Sequence, residues 1–203
     1  MVLQVYPDQA ALSEQAAKQI IALANQAVAD HGSFYIALAG GSTPQRLYSI
    51  LASVELRSQT DWSKWQFFWS DERLVPLDDE YSNFHLADSA LLSKLDLGAS
   101  QVHPVSIEGR TSEEIAATYE QEIRGIVQTG ADTVPRFDLI LLGLGSDGHT
   151  ASLFPGQPSL DKSQHLVVAS PAGTLPPPVD RITFSLRTIN AAHHVMILVS
   201  GSA

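Results

Sequence analysis

The chain has 203 residues, of which 44% are hydrophobic and none is cysteine, and its formal net charge is −10. This length supports one good hydrophobic core, so we expect a single domain over residues 1–203. The composition excludes a disulfide framework, a thiol nucleophile and a cysteine-type zinc site, and the twelve scattered Lys and Arg residues argue against nucleic-acid binding.

The start of the chain and its hydropathy bear on localisation. The stretch MVLQVYPDQAALSEQ lacks the basic start and long apolar core of a signal peptide, and no apolar run approaches bilayer-spanning length. We therefore expect a soluble cytoplasmic protein with no membrane or nucleic-acid partner. Because the overall charge repels anions, a small anionic ligand would have to be attracted by a few placed cations and backbone N–H groups.

The hydrophobic pattern predicts alternating helices and strands. In chain order it predicts a helix over 12–29, a strand over 34–39, a helix over 45–56, a strand over 66–69, helices over 83–94 and 111–129, and strands over 137–142, 166–169, 182–186 and 194–199. The helix over 111–129 opens with Thr111-Ser112-Glu113-Glu114, which predicts Ser or Thr as its cap and Glu in its first turn. Apolar strands alternating with helices are typical of a mostly parallel sheet covered on both faces, which binds ligands at the carboxyl ends of its strands.

The first informative loop follows the first predicted strand and reads Gly40-Gly41-Ser42-Thr43-Pro44. The glycines permit a tight turn, and Ser42 or Thr43 is predicted to cap a helix in which Pro44 takes the first position. Exposed N–H groups and two hydroxyls would then form an anion cradle. The loop lacks the Gly-Lys-Ser/Thr of a nucleotide P-loop, and an ordinary capped turn is an equally open interpretation.

The second loop begins with Asp71-Glu72-Arg73, directly after a predicted strand. Arg73 is predicted to reach a phosphate held by the first loop, because a guanidinium binds phosphate in a bidentate manner. Asp71 or Glu72 would orient that arginine or bond sugar hydroxyls, although a plain surface turn would also carry such charges. Ser82-Asn83 is interpreted as a structural helix cap unless Asn83 faces the cleft.

The third loop spans residues 143–149 and reads GLGSDGH. A dinucleotide site would need a helix starting in the glycine turn and an acidic residue after the next strand. Here Pro155 stops any helix after about one turn, and the next strand is followed by no carboxylate, so the dinucleotide interpretation fails. The glycines instead allow a tight loop that presents His149 as a general base and Asp147 as its orienting partner. The plainer alternative is that His149 caps a turn.

Motifs for metals and covalent nucleophiles are missing from the sequence. Neither H-E-x-x-H nor G-x-S-x-G occurs. No ligand spacing is formed by the other histidines, which are His31, His85, His103, His165, His193 and His194. These observations favour a mechanism without a metal or a covalent intermediate.

Taken together, three stretches resemble the signatures of 6-phosphogluconolactonases. They are ALAGGSTP at 37–44, WSDERLVPLDDEYSN at 69–83 and LLGLGSDGHTASLFP at 141–155. The resemblance covers essentially the whole chain, and the first stretch is shared with glucosamine-6-phosphate deaminases. It implies an α/β/α three-layer fold of the NagB/RpiA-like type. It also implies hydrolysis of 6-phospho-D-glucono-1,5-lactone to 6-phospho-D-gluconate in the oxidative pentose phosphate pathway, without a cofactor.

The resemblance further implies roles for individual residues. His149 would activate the attacking water and Asp147 would orient His149. The substrate and its phosphate would be bound by Gly41, Ser42, Thr43, Arg73 and Arg181, with Asp71 near the sugar. Family members usually continue after the last strand with a lysine and a final helix, whereas this sequence stops at residues 201–203; without that tail, one cation and one packing element would be missing.

Two other functions are weighed against this one. A deaminase or isomerase would abstract a substrate proton with a carboxylate such as Asp71. Deaminases of the related family tend to have Asp-Glu-Tyr where this sequence has Arg73 as the third residue, and Ile-Ala-Phe-Asn-Glu where it has residues 150–154, TASLF. A non-catalytic sugar-phosphate-binding domain is the other alternative, and it would bind ligand without turnover. A monomer is the expected state.

Overall fold

The computed structural model describes residues 2–107, 111–129, 134–161, 164–173 and 177–201. Ser202 and Ala203, at the end of the sequence, lie outside these ranges. The helices and strands of the described ranges are, in chain order, α1 (Gln9–His31), β1 (Phe34–Leu38), α2 (Ser42–Leu51), α3 (Val54–Arg57), β2 (Trp65–Trp69), β3 (Asp71–Arg73), α4 (Asn83–Ala90), α5 (Ser112–Ile126), β4 (Leu139–Leu142), β5 (Val167–Ser170), β6 (Arg181–Phe184), α6 (Leu186–Ala191) and β7 (His194–Ile197).

Four strands form the predicted parallel sheet, in the order β2-β1-β4-β7. Successive side chains of β1 point to opposite faces, as the two-residue period of a strand requires. Phe34, Ile36 and Leu38 enter one apolar cluster with α1 and α2, while Tyr35 and Ala37 enter a second with α5. The sheet is therefore covered by helices on both faces, which confirms the three-layer α/β prediction.

The other three strands form a separate antiparallel sheet, in the order β3-β6-β5. The strands predicted over 166–169 and 182–186 exist, but neither joins the parallel sheet. Residues 71–73, predicted as a loop, are an edge strand of this second sheet. An apolar run indicates that a strand is buried but not which strand it pairs with, so the sequence pattern did not separate the two sheets.

Between β2 and β3 the chain passes from one sheet to the other through one residue, Ser70. Its N–H and its hydroxyl both donate to the carbonyl of Leu38 at the end of β1, at 2.8 and 3.0 Å. Its carbonyl accepts the N–H of Phe184 on β6, at 2.8 Å. The backbone thus leaves the parallel ladder and enters the antiparallel one without an intervening loop, and this places β3 beside the carboxyl end of β1.

The helix starts agree with the sequence in two cases and differ in one. Thr111 caps α5 in a capping box with Glu114, and Ser82 caps α4 by accepting the N–H of His85. The predicted cap of α2 is wrong: Gly41, with φ of +99°, occupies the cap position, Ser42, Thr43 and Pro44 follow as the first three helical residues, and no side chain caps the helix. The left-handed φ of glycine makes the turn directly, so the hydroxyls are left for other partners.

Two predicted helices are shorter than the pattern suggested. α2 ends at Leu51, and the short α3 follows with Ser53 as its cap. α4 ends at Ala90, followed by a 3-10 turn over Leu92–Lys94. No helix in the described ranges combines the length and the apolar character that crossing a bilayer would require.

Candidate active site

A cleft of about 320 Å³ opens where the carboxyl ends of β1 and β4 meet the antiparallel sheet. The three loops singled out in the sequence all contribute to it, because each follows a strand that ends at this edge. Asp147 and Glu72 do not line it. The other site residues predicted above do, and they are Gly41, Ser42, Thr43, Asp71, Arg73, His149 and Arg181. The carboxylate of Asp147 is hydrogen-bonded to the side chain of His149, which does line the cleft.

The first wall of the cleft is the N-terminus of α2. Its first N–H groups have no partner within the helix, and together with the helix dipole they favour a bound anion. The hydroxyl of Thr43 is hydrogen-bonded to that of Ser200 beyond β7, at 2.6 Å. A side chain at residue 40 would overlap the amide of Asn83, since an added Cβ would lie 1.9 Å from Asn83 Oδ1, so Gly40 permits close packing of this turn.

The second wall carries two arginines on adjacent strands. Arg73 on β3 is paired directly with Arg181 on β6, so their side chains leave the same face of the antiparallel sheet. Arg73 Nη1 donates to the carbonyl of Tyr81 at 2.8 Å, which holds the guanidinium in place. Its Nε is buried and has no hydrogen-bond partner among the described residues. An anion is favoured between these two guanidinium groups, because its negative charge offsets their mutual repulsion.

Arg181 is nearly buried, with 3% of its surface exposed. Burial first, and then the positive charge of Arg73, lower the pKa of the Arg181 guanidinium. An arginine remains charged under all ordinary conditions, so the effect is an electrostatic cost rather than loss of a proton. The guanidinium carbon lies 5.5 Å from the centroid of the Phe154 ring, in a cation–π contact.

Asp71 lies on the same face of β3 as Arg73, two residues away. Its Oδ2 accepts the hydroxyl of Ser152 at 2.6 Å, and its backbone carbonyl accepts Nδ2 of Asn83 at 2.8 Å. Because a carbonyl only accepts, this bond fixes the orientation of the Asn83 amide. Asn83 Oδ1 is then buried at the edge of the cleft without a hydrogen-bond partner among the described residues.

Glu72 points to the other face of β3 and takes a different role from the two expected of it. Its carboxylate accepts three backbone N–H groups, those of Arg73, Asn83 and Phe84, at 2.7 to 2.8 Å, and the hydroxyl of Ser82 at 3.2 Å. Burial raises the pKa of Glu72 to about 7, against the lowering effect of these N–H groups. Glu72 therefore joins β3 to the start of α4 and does not contact the guanidinium of Arg73.

The third wall is the glycine loop, which forms the predicted histidine–carboxylate pair. Nδ1 of His149 and Oδ1 of Asp147 are 2.5 Å apart. The hydrogen bond from His149 lowers the pKa of Asp147, so the carboxylate is the acceptor and Nδ1 is the donor. A neutral imidazole then carries its lone pair on Nε2, the form that a general base needs.

Glycine at 145 is required by this geometry. A Cβ added there would lie 2.2 Å from the His149 ring and 2.7 Å from Asp147 Oδ1. The loop is closed by the N–H of Gly145, which donates to the carbonyl of His149 at 2.8 Å, and Gly148 adopts φ of +83°. The interpretation of the glycines as supports for Asp147 and His149 agrees with these contacts.

The sequence gives little or no indication that three residues, Asn83, Ser152 and Phe154, belong to the site. Asn83 was assigned to the cleft only conditionally, and Ser152 and Phe154 were given no chemical role. Ser152 and Phe154 fall within the third stretch that carried the family resemblance, which was the only signal for them. Their meaning depends on partners far along the chain, Asp71 and Arg181, and no local pattern shows such a contact.

The other histidine–carboxylate contacts lie outside the cleft. His31 contacts Asp138 at 2.9 Å, and His103 lies between Glu122 and Gln66 at 3.0 and 2.8 Å. No group of three or more histidine, aspartate or glutamate side chains in the described residues is arranged to hold a metal ion. The Asp147–His149 pair, by contrast, lies at the same cleft as Arg73 and Arg181.

Comparison with known proteins places this chain in a family. Residues 7–203 match the family model described as glucosamine-6-phosphate isomerases/6-phosphogluconolactonase. A Synechocystis protein named 6-phosphogluconolactonase is 40% identical over 192 residues, which are 95% of this chain and 77% of the relative. A rice protein (Oryza sativa subsp. indica) named probable 6-phosphogluconolactonase 3, chloroplastic, is 37% identical over 206 residues.

The matches differ in how much of each relative they span. The chain covers 62% of the length of that rice relative, while 98% of the chain is aligned. The solved structure of 6-phosphogluconolactonase from Trypanosoma brucei superposes with a TM-score of 0.85 at 32% identity, covering 96% of this chain and 79% of that one. The agreement confirms the fold that the residue pattern predicted.

Proposed function

The chain belongs to the glucosamine-6-phosphate isomerase/6-phosphogluconolactonase family, and from this premise we propose that it hydrolyses 6-phospho-D-glucono-1,5-lactone to 6-phospho-D-gluconate. The observation that carries the proposal is the convergence of the Asp147–His149 pair and the Arg73–Arg181 pair on one cleft. The first pair suits the activation of water, and the second suits a phosphate.

The proposed phosphate site lies between the arginines and the N-terminus of α2. A phosphate monoester carries about −1.5 to −2 charges near neutral pH, which both guanidinium groups and the helix dipole favour. Ser42 and the N–H groups around Gly41 line the same part of the cleft and would complete the contacts, with Thr43 reaching it from its bond with Ser200. Asp71 would accept hydrogen bonds from the sugar hydroxyls.

The proposed reaction needs only water, the lactone and the protein. Nε2 of His149 takes a proton as the water oxygen attacks the lactone carbonyl, and the new oxyanion is stabilised by backbone N–H groups of the glycine turns. The carbonyl re-forms, the bond between carbonyl carbon and ring oxygen breaks, and the ring oxygen receives a proton to become a hydroxyl. Asp147 holds the imidazole in position and stabilises its charged form.

The proposal also covers the domain organisation, the oligomeric state and the compartment of the enzyme. The residues of the proposed site, from Gly41 to Arg181, are spread over most of the chain, so we propose that residues 1–203 act as one lactonase domain. The state that we propose for this domain is a monomer. A cysteine-free chain suits a reducing compartment, and we place the enzyme in the cytoplasm, without a cofactor. The rice relative is named as chloroplastic.

The test is lactone hydrolysis by wild type and His149→Ala. A general base contributes about 10²- to 10⁴-fold, so we expect kcat to fall by that factor in the variant after the spontaneous rate is subtracted. The assay follows proton release from freshly generated 6-phosphogluconolactone. Glucosamine-6-phosphate is assayed in parallel, since ammonia release would indicate the deaminase alternative with Asp71 as base. Wild type that binds the sugar phosphate but turns over neither substrate would indicate a binding domain and reject the proposal.

A further inference from the structure

The ring of Phe154 contacts two side chains with different proposed roles. Its centroid lies 4.7 Å from that of the His149 imidazole, with an angle of 38° between the rings. The guanidinium carbon of Arg181 lies 5.5 Å from the same centroid. Phe154 is only 6% exposed, so the ring is largely shielded from water. One rigid ring thus lies against both the proposed base and a proposed phosphate ligand.

The ring itself is held in place by its surroundings. An added Cβ at Gly173 would lie 2.4 Å from Phe154 Cζ, so the backbone there approaches the ring closely and leaves no space for a side chain. The segment between His149 and Phe154 turns tightly: the N–H of Leu153 donates to the carbonyl of Thr150 at 2.9 Å, and Ala151 adopts φ of +49°. This turn brings the ring back under the imidazole five residues earlier in the chain.

We propose that Phe154 is a positioning residue that fixes His149 and Arg181 relative to each other, an inference that rests on the proposed lactonase function. Contact with a flat ring limits rotation of the imidazole, whose Nδ1 is already held by Asp147. The cation–π contact limits the guanidinium in the same way. Water activation and phosphate binding therefore share one support, which keeps the reacting carbonyl at a set distance from the base once the phosphate is bound.

Phe154→Leu removes the ring but keeps an apolar side chain. We expect kcat to fall about tenfold, because small misplacements of a base are costly, and KM to rise about threefold to tenfold through Arg181. Phe154→Met, which fills more of the space, is the second variant and is used if thermal melting shows that the leucine variant is poorly folded. Phe34→Leu is the matched control, since Phe34 is also buried but lies at the amino end of β1, whereas the cleft lies at the carboxyl end.

A double-mutant cycle separates positioning from general damage. If Phe154 acts on kcat through His149, then Phe154→Leu causes the tenfold loss in wild type and little further loss in His149→Ala. Equal losses in both backgrounds would overturn the proposal, because a merely structural effect does not depend on the base. Unchanged kcat and KM in an otherwise active enzyme would overturn it as well.

A binding measurement keeps this inference distinct from the lactonase proposal. The Kd of inorganic phosphate is measured by calorimetry for wild type, Phe154→Leu and Phe34→Leu. We expect a threefold to tenfold weaker Kd in Phe154→Leu only, whether or not the wild type hydrolyses the lactone. A wild type without lactonase activity would reject the proposed function, whereas an equal Kd in all three proteins would reject the support of Arg181 by Phe154.

Discussion

The cleft holds two arginines, Arg73 and Arg181, at directly paired positions of neighbouring strands. Like charges at such positions destabilise a strand pair, and burial of Arg181 adds to the cost. A phosphate dianion between them would remove much of this cost while gaining charge-assisted hydrogen bonds. The buried Nε of Arg73, which lacks a partner among the described residues, is one donor available for that purpose.

Arg73→Ala tests the phosphate site. Loss of one charge-assisted hydrogen bond, worth about 1.5 to 3 kcal/mol, is expected to raise KM about tenfold to a hundredfold. Because the phosphate does not change during hydrolysis, kcat should stay within about threefold of wild type. Initial rates over a range of lactone concentrations give both constants. The unphosphorylated gluconolactone is the control, since its kcat/KM should be the same in both proteins; an equal loss with both lactones would contradict the assignment.

Gly145→Ala tests the support of the histidine–carboxylate pair. The new methyl would overlap the His149 ring and Asp147, so we expect kcat to fall by about tenfold or more without loss of the fold. Steady-state kinetics and circular dichroism measure the two effects. Gly125→Ala in α5 is the control, because an added Cβ there meets nothing within 4 Å and alanine favours a helix. Full activity of Gly145→Ala would show that the pair does not need its present position.

The sequence predicted which charged residues meet at the cleft, but it did not predict the side chains that pack against them. Arg73, Asp147 and His149 were found because charged residues directly after strands converge at one sheet edge. Arg181 was found only through the family resemblance. Phe154 was missed because an aromatic residue in a loop has no chemical signal of its own, and its two partners are identified only by the folded structure.

At the scale of elements, Glu72 connects strand β3 to helix α4. Three backbone N–H groups and one hydroxyl converge on a carboxylate that is 1% exposed. Since β3 carries Asp71 and Arg73, this connection sets the position of that wall of the cleft. It also places a group with a pKa of about 7 inside the protein, where its ionisation is unfavourable.

Glu72→Gln is expected to change the pH dependence of stability. The folded pKa of about 7 lies above the ordinary 4.5, so the stability that Glu72 contributes is complete below about pH 4.5 and is lost as the pH rises through about 7. The free energy of unfolding of the variant relative to wild type should therefore rise, on the order of 3 kcal/mol, between about pH 5 and pH 8. Urea unfolding at several pH values measures it, and parallel curves for the two proteins would refute a raised pKa.

The strands and long helices were predictable, whereas their pairing and exact starts were not. Continuous apolar runs and a helix start with Ser or Thr as cap and Glu in the first turn are local signals, and the structure confirms both. The assignment of β5 and β6 to the antiparallel sheet depends on β3, a three-residue charged strand with no strand signal of its own. The start of α2 was misplaced because Gly41 makes a turn that usually calls for a capping side chain.

For the molecule as a whole, a sugar phosphate in the cleft would contact both sheets and so stabilise the entire fold. At about 100 times its Kd, 6-phosphogluconate should raise the free energy of unfolding by about 2.7 kcal/mol and Tm by about 5 to 11 °C. Differential scanning calorimetry measures the shift. Gluconate without the phosphate should give little, and Arg73→Ala should lose most of the shift at the same concentration. Equal shifts with gluconate and 6-phosphogluconate would argue against phosphate recognition.

The junction at Ser70 also governs how the cleft can move. A single residue, hydrogen-bonded to Leu38 on one side and Phe184 on the other, connects the wall that carries Arg73 to the sheet that carries the glycine loop. Domain closure relies on a few residues free to change φ and ψ, and a residue with its N–H, hydroxyl and carbonyl all engaged has little such freedom. We therefore expect a preorganised site whose turnover rate is set by bond making and product departure, with no opening and closing of its two halves between one lactone and the next.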